Sequence, residues 1–367
     1  MSAGEWDGRN FLIVRLSALG DTVHALPFAA ALREACPNSR IGWVVEEPAA
    51  DLVVDNPLLD CWHVVPRGWL KSFRIIKELR RSLRNEEYDV AFDIQGLSKS
   101  AIAAWLSGAE LRVGFIRGES REIAPNLDNC LVPPTGVHVV DKVLSLLNAI
   151  SVPIPHRGTF IFPPFSGAGA LGLQSWLDQN HLHPQEFALF GPWGSFSSKI
   201  WPLERFAALS SMLYQECHLP ALVLGHGEAE RQAVTEIATR LRPGSFILAP
   251  ELPLLGVVEL ARRARIFIGN DSFPLHAAAG VGCPCLGLFG VTDPDRLGPY
   301  SEKSRVVYER LTIMENARDY HQLDKSTLFA LGVEKVYRAC LDVMVDVTTA
   351  SNGSFCSLSD RLAGTAL

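Results

Sequence analysis

A carboxylate and a histidine follow the first apolar run of the chain. The segment Leu12–Pro27 reads LIVRLSALGDTVHALP, which predicts a buried strand, a turn of small residues and then Asp21 near the start of a helix. The N-terminus of a helix favours an ionised carboxylate, and a general base needs that form at neutral pH. Asp21 is therefore a candidate general base, with simple helix capping as the alternative. His24 is more readily interpreted as a hydrogen-bonded structural histidine.

Two later segments contain groups that suit an anionic ligand. Gly269–Gly280 reads GNDSFPLHAAAG and runs from a predicted strand into an Ala-rich helix that begins beside Asp271 and Ser272. Free N–H groups and the helix dipole make such a helix start an anion site that would suit a diphosphate, and capping by either side chain is the alternative. Lys199 lies in SSKIWPLERFAAL, in a loop before a helix, where a compact cation can neutralise phosphate or simply remain solvated.

A basic stretch interrupts a chain whose formal net charge is −6. It contains seven basic residues and one acid, Glu78, so that seven minus one gives a local charge of +6. The basic residues are Arg67, Lys71, Arg74, Lys77, Arg80, Arg81 and Arg84, and Trp69, Leu70 and Phe73 lie among them. Such a pattern is typical either of a solvated helix face or of a surface for an anionic amphiphile or membrane lipid.

Apolar runs that suit buried strands alternate with helical patterns along the chain. Strands are predicted at Phe11–Leu16, Ile41–Val45, Trp62–Val65, Val90–Asp93, Arg112–Phe115, Phe187–Phe190, Ala221–Leu224, Phe246–Leu248, Ile266–Ile268 and Cys285–Phe289. Helices are predicted at Trp69–Arg84, His138–Ile150, Leu203–Tyr214, Glu228–Leu241 and Leu254–Arg263, and Pro27 predicts a late start or a bend in the helix after Asp21. The alternation indicates an α/β protein with two doubly wound parallel units whose strand ends face a central cleft.

The composition limits the classes of protein to which the chain can belong. Its 367 residues, 48% of them apolar, suit two globular domains, and the negative net charge argues against a nucleic-acid partner. No apolar run approaches the ~20 residues of a membrane span, and the eight cysteines lack metal or disulfide spacing, which favours a reducing cytoplasm. The turn after the first strand lacks the GxGxxG pattern of Rossmann dehydrogenases. Nothing in the sequence defines an oligomeric state.

Taken together, the ordered segments resemble glycosyltransferase family 9, and its type I lipopolysaccharide heptosyltransferases in particular. Besides the segments quoted above, the matching blocks are WVVEE (Trp43–Glu47), YDVAFDIQGLSKS (Tyr88–Ser100), RGESREIAP (Arg117–Pro125), HVVDKVLSLL (His138–Leu147) and LFGVTDPDRLGPY (Leu288–Tyr300). The resemblance implies a GT-B fold, with residues 1–160 as an acceptor-binding domain, 161–172 as a linker, 173–347 as a nucleotide-sugar-binding domain and 348–367 as a flexible tail. It implies an inverting heptose transfer from ADP-L-glycero-D-manno-heptose to the anionic Kdo-lipid A core, on the cytoplasmic face of the inner membrane.

The resemblance also assigns roles to individual residues. Asp21 matches the proposed general base. Donor-side positions are Ser195 near the phosphates, Lys199 on the phosphates, Glu230 on the ribose, Leu252 on adenine, Asp271 facing the sugar, and Ser272 and His276 at the phosphate-binding helix start. Acceptor-side positions are Arg67, Lys71 and Arg121, which match residues that grip phosphates or carboxylates. We expect no metal and no cofactor beyond the donor, and the DPD sequence at Asp293–Asp295 matches a structural loop.

Two departures from the family pattern leave alternatives open. Phe273 stands where the family has a glycine that lets backbone approach the diphosphate, and Gly194 replaces a common hydroxyl residue. The alternatives are heptosyltransferase II or another family member, an epimerase of the same fold that needs no acceptor, and a non-catalytic sugar-nucleotide-binding protein. The basic stretch disfavours the epimerase, and the joint presence of Asp21, Lys199 and Asp271 disfavours the non-catalytic protein.

Overall fold

Two parallel six-stranded sheets organise the chain in a computed structural model, which describes residues 5–309 and 325–351. The strands of the first sheet are β1 (Asn10–Val14), β2 (Arg40–Glu46), β3 (Cys61–Val65), β4 (Val90–Asp93), β5 (Leu111–Phe115) and β6 (Cys130–Val132). Their spatial order is β3-β2-β1-β4-β5-β6, so the chain winds outward from β1 in both directions. The sheet's carboxyl edge is therefore a ligand crevice beside β1 and β4, where the winding reverses.

Helices cover both faces of the first sheet. They are α1 (Leu19–Ala35), α2 (Phe73–Asn85), α3 (Ser98–Ser107), α4 (Ala124–Leu127) and α5 (Val139–Leu144), with 3-10 turns at Glu47–Leu52, Trp69–Lys71 and Ser145–Ile150. Successive β1 side chains point to opposite faces: Phe11 and Ile13 belong to the core on the α1 side, and Leu12 and Val14 to the core under α2 and α3. Burial on both faces explains the continuous apolar strand sequences.

The second sheet repeats this arrangement. Its strands are β7 (Ala188–Gly191), β8 (Ala221–Val223), β9 (Phe246–Leu248), β10 (Ile266–Asn270), β11 (Cys285–Phe289) and β12 (Ser304–Tyr308), in the order β12-β11-β10-β7-β8-β9. Its helices are α6 (Gly167–Gln179), α7 (Leu203–Cys217), α8 (Gly227–Ala238), α9 (Leu254–Arg263), α10 (Phe273–Gly280), α11 (Pro294–Leu297) and α12 (Val333–Ser351), with 3-10 turns at Ser197–Lys199 and Lys325–Ala330. None of the helices in the described part of the chain has the length and hydropathy needed to cross a bilayer.

Helices α1 and α10 pack against each other between the two sheets. An apolar cluster joins them, formed by Val23, Leu52, Val258, Phe273 and Ala277. The two helices approach closely at Gly20 of α1, where a Cβ would lie 3.1 Å from the Cδ2 atom of His276. The helix that carries Asp21 therefore lies directly against the helix that follows Asp271.

Several predicted elements differ from those observed. The helix predicted at Trp69–Arg84 is split, because Ser72 accepts a hydrogen bond from the N–H of Ile75 and starts α2 anew. The helix predicted at His138–Ile150 is α5 followed by a 3-10 turn. Helix α1 begins at Leu19, before Asp21, so the predicted late start is wrong, and Pro27 lies buried in its middle. Strands β6 and β12 were not predicted.

The segment that joins the two domains does not coincide with the predicted linker, because residues 151–166 contain no helix or strand. Helix α6 begins at Gly167 and takes up the second half of residues 161–172. It opens with GAGALG, which has the glycine spacing of a dinucleotide motif, but no strand precedes it as that motif requires. Helix α12 extends to Ser351, so the predicted tail begins later than residue 348, and its remaining residues, 352–367, lie outside the described part of the chain.

Candidate active site

Asp21 occupies the first turn of α1, at the carboxyl edge of the first sheet. Its Oδ2 atom accepts a hydrogen bond from the N–H of Ala18 at 3.3 Å and lies 2.7 Å from Nη2 of Arg15. The Asp21 side chain is 39% exposed, so the carboxylate is both anchored and accessible. The predicted position near a helix start is thus observed, and the arginine contact is an addition that sequence reasoning missed.

A second polar network lies beside Asp21 at the ends of β1, β2 and β4. The Lys99 ammonium donates to Oγ of Ser17 and to Oε1 of Glu46, each at 2.8 Å. The side-chain amide oxygen of Gln95 accepts from the N–H of Leu16 at 2.8 Å. Glu46 is buried and Lys99 is partly exposed, so the cation is the end of this pair nearer to solvent. These groups sit where the sheet places ligands, although the sequence analysis assigned them no role.

On the opposite side of the cleft, Asp271 joins Lys199 and His276. Oδ2 of Asp271 accepts from the Lys199 ammonium at 2.5 Å, and Oδ1 lies 3.1 Å from Nε2 of His276. Burial alone would raise the pKa of Asp271, but the hydrogen bonds and charges of His276 and Lys199 outweigh it and hold that pKa below its ordinary value. The sequence-predicted residues Lys199, Asp271 and His276 therefore form one hydrogen-bonded group.

Asn270 fixes the loop that carries Lys199. Its side-chain NH₂ donates to the carbonyl of Pro192 at 2.6 Å, and its oxygen accepts from the N–H of Trp201 at 3.1 Å. The two bonds tie both ends of the loop after β7 to the end of β10. Ser195 is exposed in this same loop, four positions before the lysine. Asn270 lies in the segment Gly269–Gly280, but its role depends on β7 and β10 being neighbours, which no local pattern in the sequence indicates.

The other predicted donor residues follow neighbouring strands of the same edge. Glu230 comes after β8 and Leu252 after β9, so the order β10-β7-β8-β9 lines up Asp271, Lys199, Glu230 and Leu252 along the cleft. Glu230 accepts from the N–H of His226 at 2.8 Å, which caps the start of α8. Leu252 is half-buried. The sheet thus places these four residues along one edge in the order sugar, phosphate, ribose and adenine that the resemblance implies for them.

The start of α10 offers fewer N–H groups than predicted. Ser272 is the N-cap residue, and its hydroxyl donates to the Asn270 carbonyl at 3.3 Å. Pro274 has no N–H, and the N–H of Leu275 bonds to the Ser272 carbonyl at 3.1 Å. The N–H of Phe273 remains for an anion, while the Phe273 side chain is buried in the apolar cluster between the domains. Phe273 therefore does not fill the space in front of the helix.

Three histidines connect the two halves of the site. The ring of His24 lies 4.2 Å from the ring of His276 and 5.7 Å from that of His138, measured between centroids. Contrary to prediction, His24 is not hydrogen-bonded, because neither ring nitrogen has a partner within the described residues. Burial, with smaller effects of His276 and His138, holds the pKa of His24 well below its ordinary value. A neutral aromatic contact thus links Asp21's helix to the Asp271 group.

The predicted acceptor residues flank Asp21. Arg67 and Lys71 follow β3, and Arg121 follows β5, so each group lies two strands away from β1 along the carboxyl edge, roughly 10 Å at ~4.8 Å per strand. All three side chains are exposed. They form no single cluster with Asp21 but border the same crevice on both sides.

The DPD sequence has the structural role predicted for it. Asp293 caps α11 by accepting from the N–H of Asp295 at 3.0 Å. Across residues 5–309 and 325–351, no group of three or more His, Cys, Asp or Glu side chains has an arrangement that could hold a metal ion.

The comparisons with known proteins agree with this geometry. Residues 76–326 match the family model described as glycosyltransferase family 9 (heptosyltransferase). The chain belongs to this family. Lipopolysaccharide heptosyltransferase 1 of Pseudomonas aeruginosa is 28% identical over 301 residues, which is 79% of this chain and 81% of the relative. Proteins named heptosyltransferases 2 and 3 of Escherichia coli are also similar.

Solved structures of the family share the fold. Escherichia coli heptosyltransferase WaaC with ADP superposes with a TM-score of 0.72 at 22% identity, covering 91% of this chain and 99% of that one. A family 9 glycosyl transferase from Veillonella parvula gives a TM-score of 0.81 at 20% identity, covering 93% and 98%. This member of family 9 therefore has the GT-B fold and is a glycosyltransferase.

Proposed function

We propose that this glycosyltransferase moves a heptose from an ADP-heptose donor to the Kdo-lipid A core of lipopolysaccharide, with inversion at the anomeric carbon. The observation that carries the proposal is the contact between α1 and α10. It brings the exposed carboxylate of Asp21 to one wall of the cleft and the Lys199–Asp271–His276 group to the other. The names of the relatives, and the ADP bound in WaaC, support the choice of reaction and donor.

Asp21 is the proposed general base. The acceptor hydroxyl attacks the anomeric carbon while ADP departs from the opposite side, and the carboxylate takes the hydroxyl proton as the new bond forms. Base assistance of this kind is typically worth ~10²–10⁴-fold in rate. The cleft walls suit in-line attack because the proton acceptor and the phosphate-binding groups face each other from different domains.

Lys199 and the start of α10 are the proposed stabilisers of the leaving diphosphate. Charge on the diphosphate grows in the transition state, so preorganised cations and N–H groups favour departure more than binding. Lys199 now bonds to Asp271, whose second oxygen is held near His276. A bound diphosphate would share the ammonium with Asp271 and receive the Phe273 N–H. The Lys199 ammonium and the Phe273 N–H provide the stabilisation in this proposal, which therefore invokes no further cofactor.

The test is a donor panel with Kdo-lipid A as acceptor, scored by the mass gained. We expect a heptose adduct with ADP-heptose, and an Asp21→Asn variant that still binds ADP but turns over ~10²–10⁴-fold more slowly. Asp342→Asn, at an exposed carboxylate on α12, is the matched control and should keep full activity. Near-native turnover by Asp21→Asn would reject the base, and hexose addition alone would reject the donor.

Helix α2 supports a peripheral position at an anionic membrane surface. Phe73, Lys77, Arg80 and Arg84 recur at helical spacing on one exposed face, and the Phe73 side chain is 82% exposed. Among the described residues, Arg74 forms an ion pair with Glu78 of the same helix, whereas Lys77, Arg80 and Arg81 form no ion pair. Basic residues near an anionic surface each contribute ~1 kcal/mol, and an apolar ring at the helix start can insert.

Vesicle sedimentation tests this surface. We expect binding to phosphatidylglycerol–phosphatidylcholine vesicles but not to phosphatidylcholine alone, and a loss of about 10²-fold when Lys77, Arg80 and Arg81 are replaced by Gln. The control replaces Arg262, Lys335 and Arg338, which are exposed elsewhere, by Gln. Equal vesicle binding by both triple variants would reject the α2 surface.

The acceptor distinguishes the remaining alternatives. Heptosyltransferases 1, 2 and 3 all occur among the relatives, so their names alone do not decide the type of this chain. Transfer to Kdo-lipid A without prior heptose favours type I. A calorimetric titration that shows ADP-heptose binding with no adduct on any acceptor would favour the non-catalytic protein instead.

A further inference from the structure

Arg15 is a buried cation that contacts the carboxylate of Asp21. It follows β1, and its side chain is 11% exposed. Nη1 donates to the carbonyl of Ile94 at 3.1 Å, and Nη2 lies 2.7 Å from Oδ2 of Asp21. The two nitrogens of one planar guanidinium therefore bridge the end of β4 to the first turn of α1.

The contacts to Asp21 are asymmetric between its two oxygens. Oδ2 receives both the Arg15 guanidinium and the N–H of Ala18. Oδ1 has no partner among residues 5–309 and 325–351. A carboxylate rotates easily about its terminal bond, because that torsion is broad and roughly two-fold. The N–H donor and the cation on Oδ2 restrict the rotation and leave the lone pairs of Oδ1 for a proton that arrives from the cleft.

We propose that Arg15 is the positioning residue of Asp21: it holds Oδ2 so that Oδ1 faces the acceptor hydroxyl. This inference rests on the proposed function, because it assumes that Asp21 is the base. Arg15 itself does not touch substrate, since its guanidinium is buried behind the carboxylate that it orients. Its action is therefore exerted entirely through Asp21.

The fork geometry explains why an arginine suits this place. A lysine ammonium is a compact point charge on a flexible stem, whereas the guanidinium offers several N–H groups in a fixed plane. Arg15 uses that plane to fasten one end to the Ile94 carbonyl, so that the other end has a defined direction. Arg15→Lys keeps the positive charge but loses the contact at two points. The variant therefore distinguishes orientation of the Asp21 carboxylate from simple neutralisation of its charge.

The experiment is a double-mutant cycle on turnover, with ADP affinity measured in parallel. Arg15→Gln should lower kcat by roughly 10²-fold, the cost of a misplaced catalytic group, while leaving the KM for the donor and the ADP affinity unchanged. In an Asp21→Asn background the same change should have no further effect, because the group that Arg15 orients is already gone. Arg15→Lys should recover part of the loss, and guanidinium ion added to an Arg15→Ala variant should recover activity in proportion to its concentration.

The outcomes separate the positioning role from the proposed base. Equal losses from Arg15→Gln in the native and the Asp21→Asn backgrounds would overturn the positioning role and leave the base intact. Parallel losses of kcat and ADP affinity, without guanidinium rescue, would overturn it as well, since they indicate a structural role. Near-native turnover by Asp21→Asn would overturn both proposals together. Thermal melts of each variant show whether a loss comes from unfolding, and the rescue experiment remains decisive if Arg15→Gln is unstable.

Discussion

The structure predicts both the sign and the size of a pH effect on stability at Asp128. This carboxyl lies between α4 and β6, is 6% exposed, and neither of its oxygens has a hydrogen-bond partner in the described part of the chain. Burial first, and the neighbouring Asp93 second, raise the pKa of Asp128 to about 8, against the opposing charge of Arg112. The folded protein therefore retains a proton at neutral pH that the unfolded chain releases.

The pH dependence follows from this difference. An unfolded aspartate has a pKa of ~3.9, so the folded-state pKa is raised, and its contribution to stability is full below about pH 4 and is lost as pH rises to about 8. The loss is ~1.4 kcal/mol per pH unit, or roughly 4 kcal/mol between pH 5 and pH 8. Asparagine has nearly the same shape and remains neutral. We expect Asp128→Asn to remove this loss and to be the more stable protein at pH 8.

Urea unfolding at pH 5 and pH 8 measures the effect. Native protein should lose a few kcal/mol more than Asp128→Asn between the two pH values. Asp51→Asn, at an exposed carboxylate of the same domain, should follow the native protein. Identical pH dependence of native protein and Asp128→Asn, or a variant that is less stable at pH 8, would show that this carboxyl is ionised in the folded state and would refute the reasoning.

Three further changes probe the cleft. Lys199→Met should weaken ADP binding in calorimetry and lower the melting temperature, because it leaves Asp271 buried without its cation, a change that typically costs 3–5 kcal/mol; unchanged affinity and melting would contradict the ion pair's role. His24→Phe should reduce, by up to ~2 kcal/mol, the unfolding free energy that is lost between pH 7 and pH 5. The lowered pKa keeps His24 of the folded protein neutral, whereas the unfolded histidine takes up a proton below ~6.5. An unchanged loss of stability between these pH values would contradict this prediction. Phe273→Ala should destabilise the protein by about 3–5 kcal/mol yet retain ADP binding, since the ring packs between the domains, and lost ADP affinity with normal melting would place the ring in the donor site instead.

The fold could be predicted from the sequence because the central strands are buried on both faces. β4, β8, β10 and β11 lie inside their sheets and begin at the predicted residues, where apolar runs stand out against polar loops. β6 and β12 were missed for the opposite reason. Each is an edge strand that is only partly buried, and its apolar run is only three residues long. Ser72 likewise interrupts a helical pattern without changing its periodicity, and only its capping bond reveals the break.

Site residues that directly follow a strand could be predicted from the sequence. Contacts between residues that are distant in the sequence could not. Asp21, Lys199 and Asp271 can be predicted because each follows soon after an apolar run. A role for Arg15 was not predicted because the residue falls within the predicted strand Phe11–Leu16. Its contact with Asp21 depends on the path of the chain from β1 into α1. His24 was expected to have a hydrogen-bond partner, but its neighbours come from segments more than a hundred residues away. The sequence contains no local signal for such contacts.

The helix pair at the centre of the cleft is a partial exception. A helix that covers one face of a sheet normally presents a polar face to solvent, and a helix that is apolar all round is buried on every side. α1 is buried without interruption from Thr22 to Ala29, and α10 from Leu275 to Ala279. Each helix therefore needs a second partner beyond its own sheet, and the two needs are met when α1 and α10 pack together. Asp21 lies in the first turn of α1, and Asp271 precedes α10. The burial that joins the domains therefore also fixes the distance between the proposed proton acceptor and the groups proposed to bind the departing diphosphate.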